Sequence, residues 1–420
     1  GTALLAVAWL LFRRRRRAAR AAIALLLAMG AIDLLKGLDV EEALLSWALA
    51  YGLWRWRDTF HVIYAKHPPQ AAVPGERSLA AAIVRRHGTD TLAAFKLRGD
   101  LHRRWAPDGG ALAGYRVQAG ALLLAGDPVG TDDAKAALLR DGIEHARRHG
   151  LALGVVAASA AFADVARDCG LYRLYMGDEA LIATGSMDLS SPESKTLRKA
   201  VRRVARNGYR AEISRVADLD PVTLARLEAV SEGWRAGVPE RGFSMAPDRL
   251  DDELLPEALV VLARDGDGTV RGFLHFVPSF GRATASLGFM RRDRDTPNGL
   301  TEFLVVESAR LLGEAGFDEF SLNFATFGRW LRAPANALES GLARLLRVAD
   351  RWFQIERLHR FNARFAPRWE PRYLLFSHPL QFPRVGLATL WAEGWLPAPP
   401  SQRELRKLAL ERLPGRSAKP

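Results

Sequence analysis

Apolar and polar positions alternate with two different periods along the chain, and this predicts an α+β protein. Short apolar runs at 111–117, 121–125 and 153–157 are typical of buried strands. The segment 132–150 carries apolar residues at helical spacing and ends at Gly150, a common helix terminator. The same criteria predict further strands at 92–97, 171–176, 211–213, 259–264, 270–277 and 319–324, and helices at 160–169 and 221–234.

The most informative stretch joins a strand to a helix through a charged turn. Residues 283–290 are small and apolar, residues 291–295 are arginine and aspartate, and apolar positions at helical spacing follow up to Gly316. Asn298 or Thr296 is the expected helix cap. Such turns often carry the site of an α/β protein, because free N–H groups at a helix start bind anions. A solvated turn is the alternative.

A strongly basic helix is predicted at 195–206. Its cations recur three or four residues apart and form one face without an acid: Lys195, Arg198, Lys199, Arg202, Arg203 and Arg206. Solvated faces usually mix charges of both signs, which reduces repulsion. The uncompensated stripe therefore indicates phosphate binding, and it leaves open whether the phosphates belong to tRNA or to a lipid headgroup.

The beginning of the chain is apolar. The runs 2–12, 18–35 and 43–54 are each shorter than the roughly 20 residues that cross a bilayer, and five arginines at 13–17 follow the first run. We expect either the end of a transmembrane region or an interfacial anchor, and a soluble helical hairpin is the alternative. A proline-containing linker follows at 61–77.

Composition narrows the classes of partner and cofactor. The chain has 420 residues, enough for two or three domains, and a net charge of +13 that favours nucleic acid or an anionic membrane. A single cysteine, Cys169, excludes an internal disulfide and a multi-cysteine metal site. The nine histidines show no metal-binding spacing, so we expect no metal and no cofactor.

Seven short motifs follow one another along the chain. They are GDPVG at 126–130, GDEA at 177–180, LRKAVRRVARNGY at 197–209, SEGW at 231–234, ERGFS at 240–244, FMRRDRDTPNGLTEF at 289–303 and RWEPRYL at 368–374. In this order they resemble the motifs of one known family, the phosphatidylglycerol aminoacyltransferases of the MprF type. The likeness covers about 78–395, and 354–372 most resembles the actinobacterial branch.

The resemblance implies two tandem domains similar to GNAT acetyltransferases, at 78–185 and 186–395. They would follow a membrane-associated segment at 1–60 and precede a flexible basic tail at 396–420. It also implies transfer of an aminoacyl group, lysyl by default, from aminoacyl-tRNA to the glycerol hydroxyl of phosphatidylglycerol. The catalytic part would work at the cytoplasmic face of the cell membrane, and the cationic lipid would protect against cationic peptides.

Two other functions remain open on the sequence. One is an acyl-CoA-dependent GNAT-type acyltransferase. Against it, the helix after the charged turn begins with TPNGLT at 296–301 rather than with the glycine-rich loop that usually holds pyrophosphate. The other is a membrane-tethered nucleic-acid binder without enzymatic activity, which the charge and the apolar start would also predict.

Candidate catalytic residues follow from the chemistry that the resemblance implies. The donor is an activated ester, so the enzyme must orient two substrates and stabilise one oxyanion. Asp293 and Glu302 would hold the cationic α-amino group, Arg291 would meet the lipid phosphate or ester carbonyl, and Asn298 would orient a substrate group.

Four further positions are expected to support the substrates. Glu240, Asn323 and Arg372 are candidate substrate-binding residues. Arg364 is a candidate catalytic residue, and it stands where many relatives carry lysine. Because arginine stays protonated, it can replace that lysine only as a support for an oxyanion or a phosphate.

Overall fold

A computed structural model describes residues 16–37, 40–57, 75–185, 187, 189–192, 194–237, 242–326 and 355–396. The helices in these ranges are α1 Arg16–Gly37, α2 Val40–Arg55, α3 Glu76–His87, α4 Asp132–His149, α5 Ala160–Asp168, α6 Lys195–Arg206, α7 Pro221–Arg235, α8 Leu300–Glu314, α9 Ile355–Ala363 and α10 Phe382–Ala392. The strands are β1 His102–Trp105, β2 Ala111–Gln118, β3 Ala121–Ala125, β4 Val129–Gly130, β5 Ala152–Ala158, β6 Tyr172–Ala183, β7 Arg210–Arg215, β8 Leu259–Arg264, β9 Val270–Ser279, β10 Thr284–Arg292, β11 Glu319–Thr326 and β12 Arg368–Phe376.

The described strands form one mixed sheet. Its order is β1-β2-β3-β5-β12-β6-β11-β10-β9-β8-β7, and β4 pairs with β2. Most neighbours are antiparallel, while β3 with β5 and β10 with β11 are parallel pairs. Each parallel pair needs a crossover connection, which α4 supplies in the first case and α8 in the second. The predicted α+β class is confirmed in the form of a mixed α/β sheet fold.

The two halves of the sheet repeat one order of elements and exchange their last strands. In chain order, β2, β3, α4, β5, α5 and β6 correspond to β9, β10, α8, β11, α9 and β12. β6 pairs with β11 of the other half, and β12 pairs with β5 and β6. Hydrogen bonds therefore cross the predicted boundary between 78–185 and 186–395, and that division into domains stays a prediction.

Each face of the second half packs against a different helix. Along β9, Phe273 belongs to a core cluster with Leu227 of α7, whereas Leu274 belongs to a cluster with Leu304 of α8. This alternation is the ordinary two-residue period of a strand that is buried on both sides. We call the two sides the α7 face and the α8 face.

A β-bulge at Gly288 changes the side of the sheet on which the following side chains of β10 lie. Leu287 pairs with Phe276 and Phe289 pairs with His275, which leaves Gly288 as the extra residue. Leu287 therefore packs on the α8 face and Phe289 on the α7 face. Beyond the bulge, the Arg291 guanidinium lies 5.3 Å from the centre of the Phe289 ring. The bulge thus brings a candidate catalytic cation to the α7 face.

One strand prediction fails in a segment whose residues are all buried. The predicted strand at 92–97 is wrong, because a 3₁₀ turn occupies Ala94–Leu97. All six residues of 92–97 are buried, so the apolar run has no alternation that could separate a strand from a tight helical turn. The strand predicted at 171–176 continues through the GDEA motif to Ala183, and the whole segment forms the single strand β6.

The helices α1 and α2 pack against each other and expose much of their apolar surface. Exposed apolar residues include Leu25, Leu27, Met29, Ile32, Leu44, Leu45, Leu49, Tyr51, Trp54 and Trp56. Across the described ranges, no helix combines the length and the apolar character needed to cross a membrane. The apolar run at 2–12, most of the linker at 61–77 and the tail from 397 lie outside the described residues.

Candidate active site

Asp293 ties the turn after β10 to the elements around it. Its carboxylate pairs with Arg226 of α7 and lies 3.3 Å from Nε of Arg271 on β9. Its backbone N–H donates to the Arg271 carbonyl at 2.7 Å. Arg271 also pairs with Asp295 at 2.8 Å, and this hydrogen bond lowers the pKa of Asp295. Two arginines therefore compensate the charge of Asp293.

The start of α8 is not capped as predicted. The cap position is Gly299 with φ 101°, and no side chain accepts from the helix start there. Thr296 instead donates to the Asp293 carbonyl at 2.8 Å, and the Asn298 side chain is exposed. The prediction of a side-chain cap was wrong because the chain enters the helix in a left-handed conformation, which glycine adopts without strain.

The basic helix α6 docks against the start of α8. A Cβ atom at Gly299 would lie 2.9 Å from Cβ of Ala200, so glycine permits this close approach. Nη2 of Arg203 donates to the Asn298 carbonyl at 2.6 Å. Leu197 and Val204 of α6 are buried in the cluster on the α8 face.

The cations of α6 form the exposed stripe that the spacing predicts. All of the six except Arg198 are exposed, and Arg198 is half-buried with a hydrogen bond to the Leu189 carbonyl. Within the described part of the chain, Lys195, Lys199 and Arg202 have no acidic partner. The stripe therefore retains its positive charge next to the start of α8.

The structure brings together two candidate catalytic residues that are far apart in the sequence. Glu302 lies in the first turn of α8, and its carboxylate pairs with Nη1 of Arg364 at 2.7 Å. Glu302 is mostly covered, whereas the Arg364 side chain is about half exposed. The guanidinium can therefore meet an anion from solvent while Glu302 fixes its position.

Asn323 bridges β10 and β11 where their pairing ends. The parallel pairing stops at Ser286 and Ser321, and Asn323 follows with a φ of 64°. Its Nδ2 donates to the Leu287 carbonyl at 2.6 Å and to the Met245 carbonyl at 3.1 Å. Its Oδ1 is buried and accepts no hydrogen bond from any described group.

His275 was missed by the sequence interpretation. It is 1% exposed on β9, its ring lies 5.5 Å from that of Phe289, and neither ring nitrogen has a described hydrogen-bond partner. Burial lowers the pKa of His275 to about 3, so the imidazole is neutral at pH 7. A polar residue inside the apolar strand 270–277 was the available signal.

Arg372, a predicted substrate-binding residue, lies in a buried network of carboxylates instead of at an open surface. Its Nε donates to Glu179 at 2.9 Å, and its Nη2 contacts Asp90 and the Thr91 hydroxyl, each at 2.7 Å. Burial alone would lower the pKa of Arg372, but the charges of Asp90 and Glu179 raise it above its usual range. The hydroxyl of Ser321 donates to Glu179 at 2.5 Å.

The same network includes Asp127 and Lys96 from the first half. Burial, together with the charge of Asp90, raises the pKa of Asp127 to about 6, although two hydrogen bonds from Ser159 oppose this shift. Burial lowers the pKa of Lys96. The motifs GDPVG, GDEA and RWEPRYL contribute Asp127, Glu179 and Arg372, so they build the joint between the halves.

Three further features considered from the sequence contribute nothing to the described site: Glu240, a metal centre and Cys169. Glu240 lies outside the described residues. In the described ranges, no group of histidine, cysteine, aspartate and glutamate side chains could hold a metal ion. Cys169 follows α5, and burial raises the pKa of its thiol, which makes it a poor nucleophile.

Fold and site together define a mixed α/β protein that presents cations and hydrogen-bonding groups around the end of β10 and the start of α8. A family model described as "Phosphatidylglycerol lysyltransferase, C-terminal" matches residues 81–376. The chain belongs to this family.

One curated relative is the lysylphosphatidylglycerol biosynthesis bifunctional protein LysX of Mycobacterium avium. It is 36% identical over 349 residues, which cover 82% of this chain and 30% of that protein. The chain therefore spans about a third of the length of such relatives.

Two solved structures share the fold. The C-terminal domain assigned to a lysylphosphatidylglycerol synthetase of Agrobacterium fabrum is 26% identical, with a TM-score of 0.65, over 78% of this chain and 99% of that one. L-PGS of Bacillus licheniformis is 19% identical, with a TM-score of 0.66, over 78% and 98%, and this second likeness shows the fold alone.

Proposed function

We propose that this chain transfers an aminoacyl group, lysyl by default, from aminoacyl-tRNA to the glycerol hydroxyl of phosphatidylglycerol. The observation that carries the proposal is the match of residues 81–376 to the phosphatidylglycerol lysyltransferase family. Relatives named for lysylphosphatidylglycerol biosynthesis support the same reaction. The product would add a cation to an anionic lipid and so lower the negative charge of the membrane.

The reaction requires positioning more than chemical activation. The glycerol oxygen attacks the ester carbonyl, the bond from that carbonyl to the tRNA ribose oxygen breaks, and the glycerol proton ends on the ribose oxygen. Because the donor is already an ester, no ATP and no covalent enzyme intermediate are needed. Orientation and stabilisation of the oxyanion lower the barrier.

The cations around α8 have the chemistry to hold the two anionic substrates. We assign the exposed stripe of α6 to tRNA phosphates, because its charge is uncompensated within the described residues. We assign Arg364 to the lipid phosphate, because it is half exposed beside a helix start that also favours anions. In this role the arginine needs no proton transfer.

The remaining candidates take positioning or catalytic roles. Asp293 fixes the turn after β10 through its ion pairs with Arg226 and Arg271, so we assign it a positioning role. Asn298 fixes α6 through its carbonyl group. Arg291 lies on the α7 face beside Phe289, and we assign it to the ester carbonyl, where a cation stabilises the developing oxyanion.

We further propose that the hairpin of α1 and α2 rests on the membrane, with the catalytic part on the cytoplasmic side. The exposed leucines and tryptophans of the hairpin suit the interfacial region, and the net charge of +13 suits anionic lipid. The repeated order of elements in the two halves supports the tandem GNAT-like arrangement.

A transfer assay tests the proposed function. Purified protein is mixed with phosphatidylglycerol micelles and radiolabelled Lys-tRNA or Ala-tRNA, and the lipid is then extracted. We expect label in the lipid phase with one of the donors. If label stays on intact tRNA with both donors, the proposal fails for them, and transfer from acyl-CoA to an amine becomes the next reaction to measure.

A further inference from the structure

Two unsatisfied polar side chains lie on the α7 face where β10 and β11 separate. His275 has no described partner for either ring nitrogen, and Oδ1 of Asn323 has none. His275 lies against Gly288, where a Cβ atom would be 2.4 Å from its Nδ1, and Asn323 donates to the carbonyl of the adjacent Leu287. We call His275, Gly288 and Asn323 the bulge cluster.

The orientation of Asn323 is fixed by its neighbours. Its Nδ2 donates to the carbonyl groups of Leu287 and Met245, so a flipped amide would place Oδ1 against two other oxygens. Oδ1 is therefore a preset acceptor. Its backbone also adopts a left-handed conformation, which is uncommon for residues other than glycine and is often found at functional sites.

His275 is a costly choice for a purely structural position. A phenylalanine could fill the same space against Gly288 and Phe289 without burying two unpaired nitrogens. A neutral imidazole offers one N–H donor and one acceptor nitrogen. Buried polar groups without partners are rare in native structures, and a catalytic role is one of the explanations for them.

We propose that the bulge cluster binds the aminoacyl end of the donor, with Asn323 Oδ1 accepting from the α-amino group and His275 donating to the ester carbonyl. An α-amino ester presents a donor and an acceptor close together, and the cluster offers the complementary pair. Asp293 and Glu302, the predicted partners of the α-amino group, already pair with arginines. This assignment rests on the proposed transfer reaction.

The variant His275→Phe separates a ligand-binding role from a structural one. It keeps an aromatic ring against Phe289 and removes both nitrogens, so its melting temperature should equal or exceed that of the wild type. Transfer from aminoacyl-tRNA should fall about 100-fold in kcat/KM, as when a donor to an oxyanion is lost. The control is His102→Phe on β1, whose exposed ring also lies 5.5 Å from an aromatic ring, that of Tyr115, and whose activity should not change.

A second outcome for His275→Phe would contradict the proposal. If His275→Phe melts at a higher temperature and transfers within about threefold of the wild type, His275 is a core residue and the proposal is wrong.

Calorimetry with small esters tests the cluster without the transfer reaction. Wild type should bind lysine methyl ester and should bind the Nα-acetylated ester much more weakly, because acetylation removes the α-amino donor. Asn323→Gly tolerates the left-handed backbone and removes Oδ1, so it should lose this preference. Absence of ester binding to the wild type, or an unchanged preference in Asn323→Gly, overturns the inference. Failure of the proposed function shows separately, as absence of lipid labelling by wild type.

Discussion

The surroundings of a residue, rather than its type, decide the role of each arginine in this chain. Arg372 and Arg368 lie on the same strand, with 3% and 54% of their side chains exposed. The first neutralises buried carboxylates, and the second makes surface pairs with Glu319 and Glu370. Their sequence neighbourhood, RWEPRYL, gives no means of telling them apart.

Substitution of Arg372 should therefore cost far more stability than substitution of Arg368. Arg372→Met leaves Glu179 and Asp90 buried without their cation, and we expect a loss of about 3–5 kcal/mol in the free energy of unfolding. Arg368→Met on the same strand should cost about 1 kcal/mol or less, because exposed pairs contribute little. Urea unfolding of both variants measures the difference, and equal losses would refute the assignment of a buried network.

Asp127 should make stability depend on pH in a defined direction. Its pKa in the folded protein is raised to about 6, so the folded state binds more protons than the unfolded state above pH 4. Its contribution to stability is complete below about pH 4 and is lost as the pH rises through 6. Asp127→Asn removes this loss, so the variant should gain up to about 3 kcal/mol relative to wild type between pH 4 and 7. Urea unfolding across that range measures the gain, and a difference independent of pH contradicts the assignment.

Arg364 should act as a cation and not as a proton donor. Arg364→Lys should keep transfer within about tenfold, whereas Arg364→Met should lower kcat/KM about 100-fold. Arg310→Met is the control, because Arg310 on α8 is equally exposed and also paired with glutamates. Comparable losses in the methionine variants of Arg364 and Arg310 would show that Arg364 has no special role.

Part of the site was predictable from local sequence, and part depends on long-range pairing. The turn after β10 and the cations of α6 follow from spacing, and Asn323 follows from the alternation along its strand. The pairing of Glu302 with Arg364 and the burial of Arg372 depend on contacts between distant segments. Phe289 reaches the α7 face beside His275 because of a bulge at Gly288, and nothing local marks that position as a bulge.

At the scale of elements, local patterns predicted the helices and most strands, and they contained no information on the order of the strands in the sheet. The bounds of α6 and the hairpin of β8 and β9 agree with the sequence interpretation. The insertion of β12 between β5 and β6 joins residues about 200 positions apart, and no local periodicity encodes such pairing. The exchange of β6 and β12 makes the two halves one sheet.

The stripe on α6 should control the salt dependence of tRNA binding. Glutamine at both Lys199 and Arg202 should reduce the steepness of log K against log salt by about 1.5. Each phosphate contact releases counterions when it forms, so a variant with two fewer contacts releases fewer of them on binding. The control pair is Arg147 and Arg148 on α4, which are similarly exposed but paired with Glu144. Filter binding at several salt concentrations gives the slope for each double variant. Equal slopes for the two would show that α6 does not contact tRNA phosphates.

At the scale of the whole molecule, an apolar hairpin, a basic surface and a single continuous sheet are combined in one chain. The apolar surface of α1 and α2 is not needed to cover the described sheet, whose core is formed by other helices. Together with the positive net charge, this arrangement suits a protein that acts on lipid at an anionic surface.

The hairpin should contribute to binding of vesicles. Leu45→Ser with Leu49→Ser should weaken binding to phosphatidylglycerol vesicles at least about 10-fold, because apolar area no longer leaves water. Leu79→Ser with Val222→Ser is the control, since these residues are also exposed but lie on α3 and α7. Flotation with anionic and zwitterionic vesicles measures the change, and equal weakening in both double variants would argue against a membrane role for the hairpin.

The most direct test of the account is the mass of the lipid product. The purified protein is incubated with phosphatidylglycerol and a mixture of charged tRNAs, and the extracted lipid is analysed by mass spectrometry. The account predicts phosphatidylglycerol heavier by one aminoacyl residue, lysyl first, with an equal amount of uncharged tRNA. Unmodified lipid beside fully charged tRNA, from protein that is folded and bound to the lipid, would contradict it.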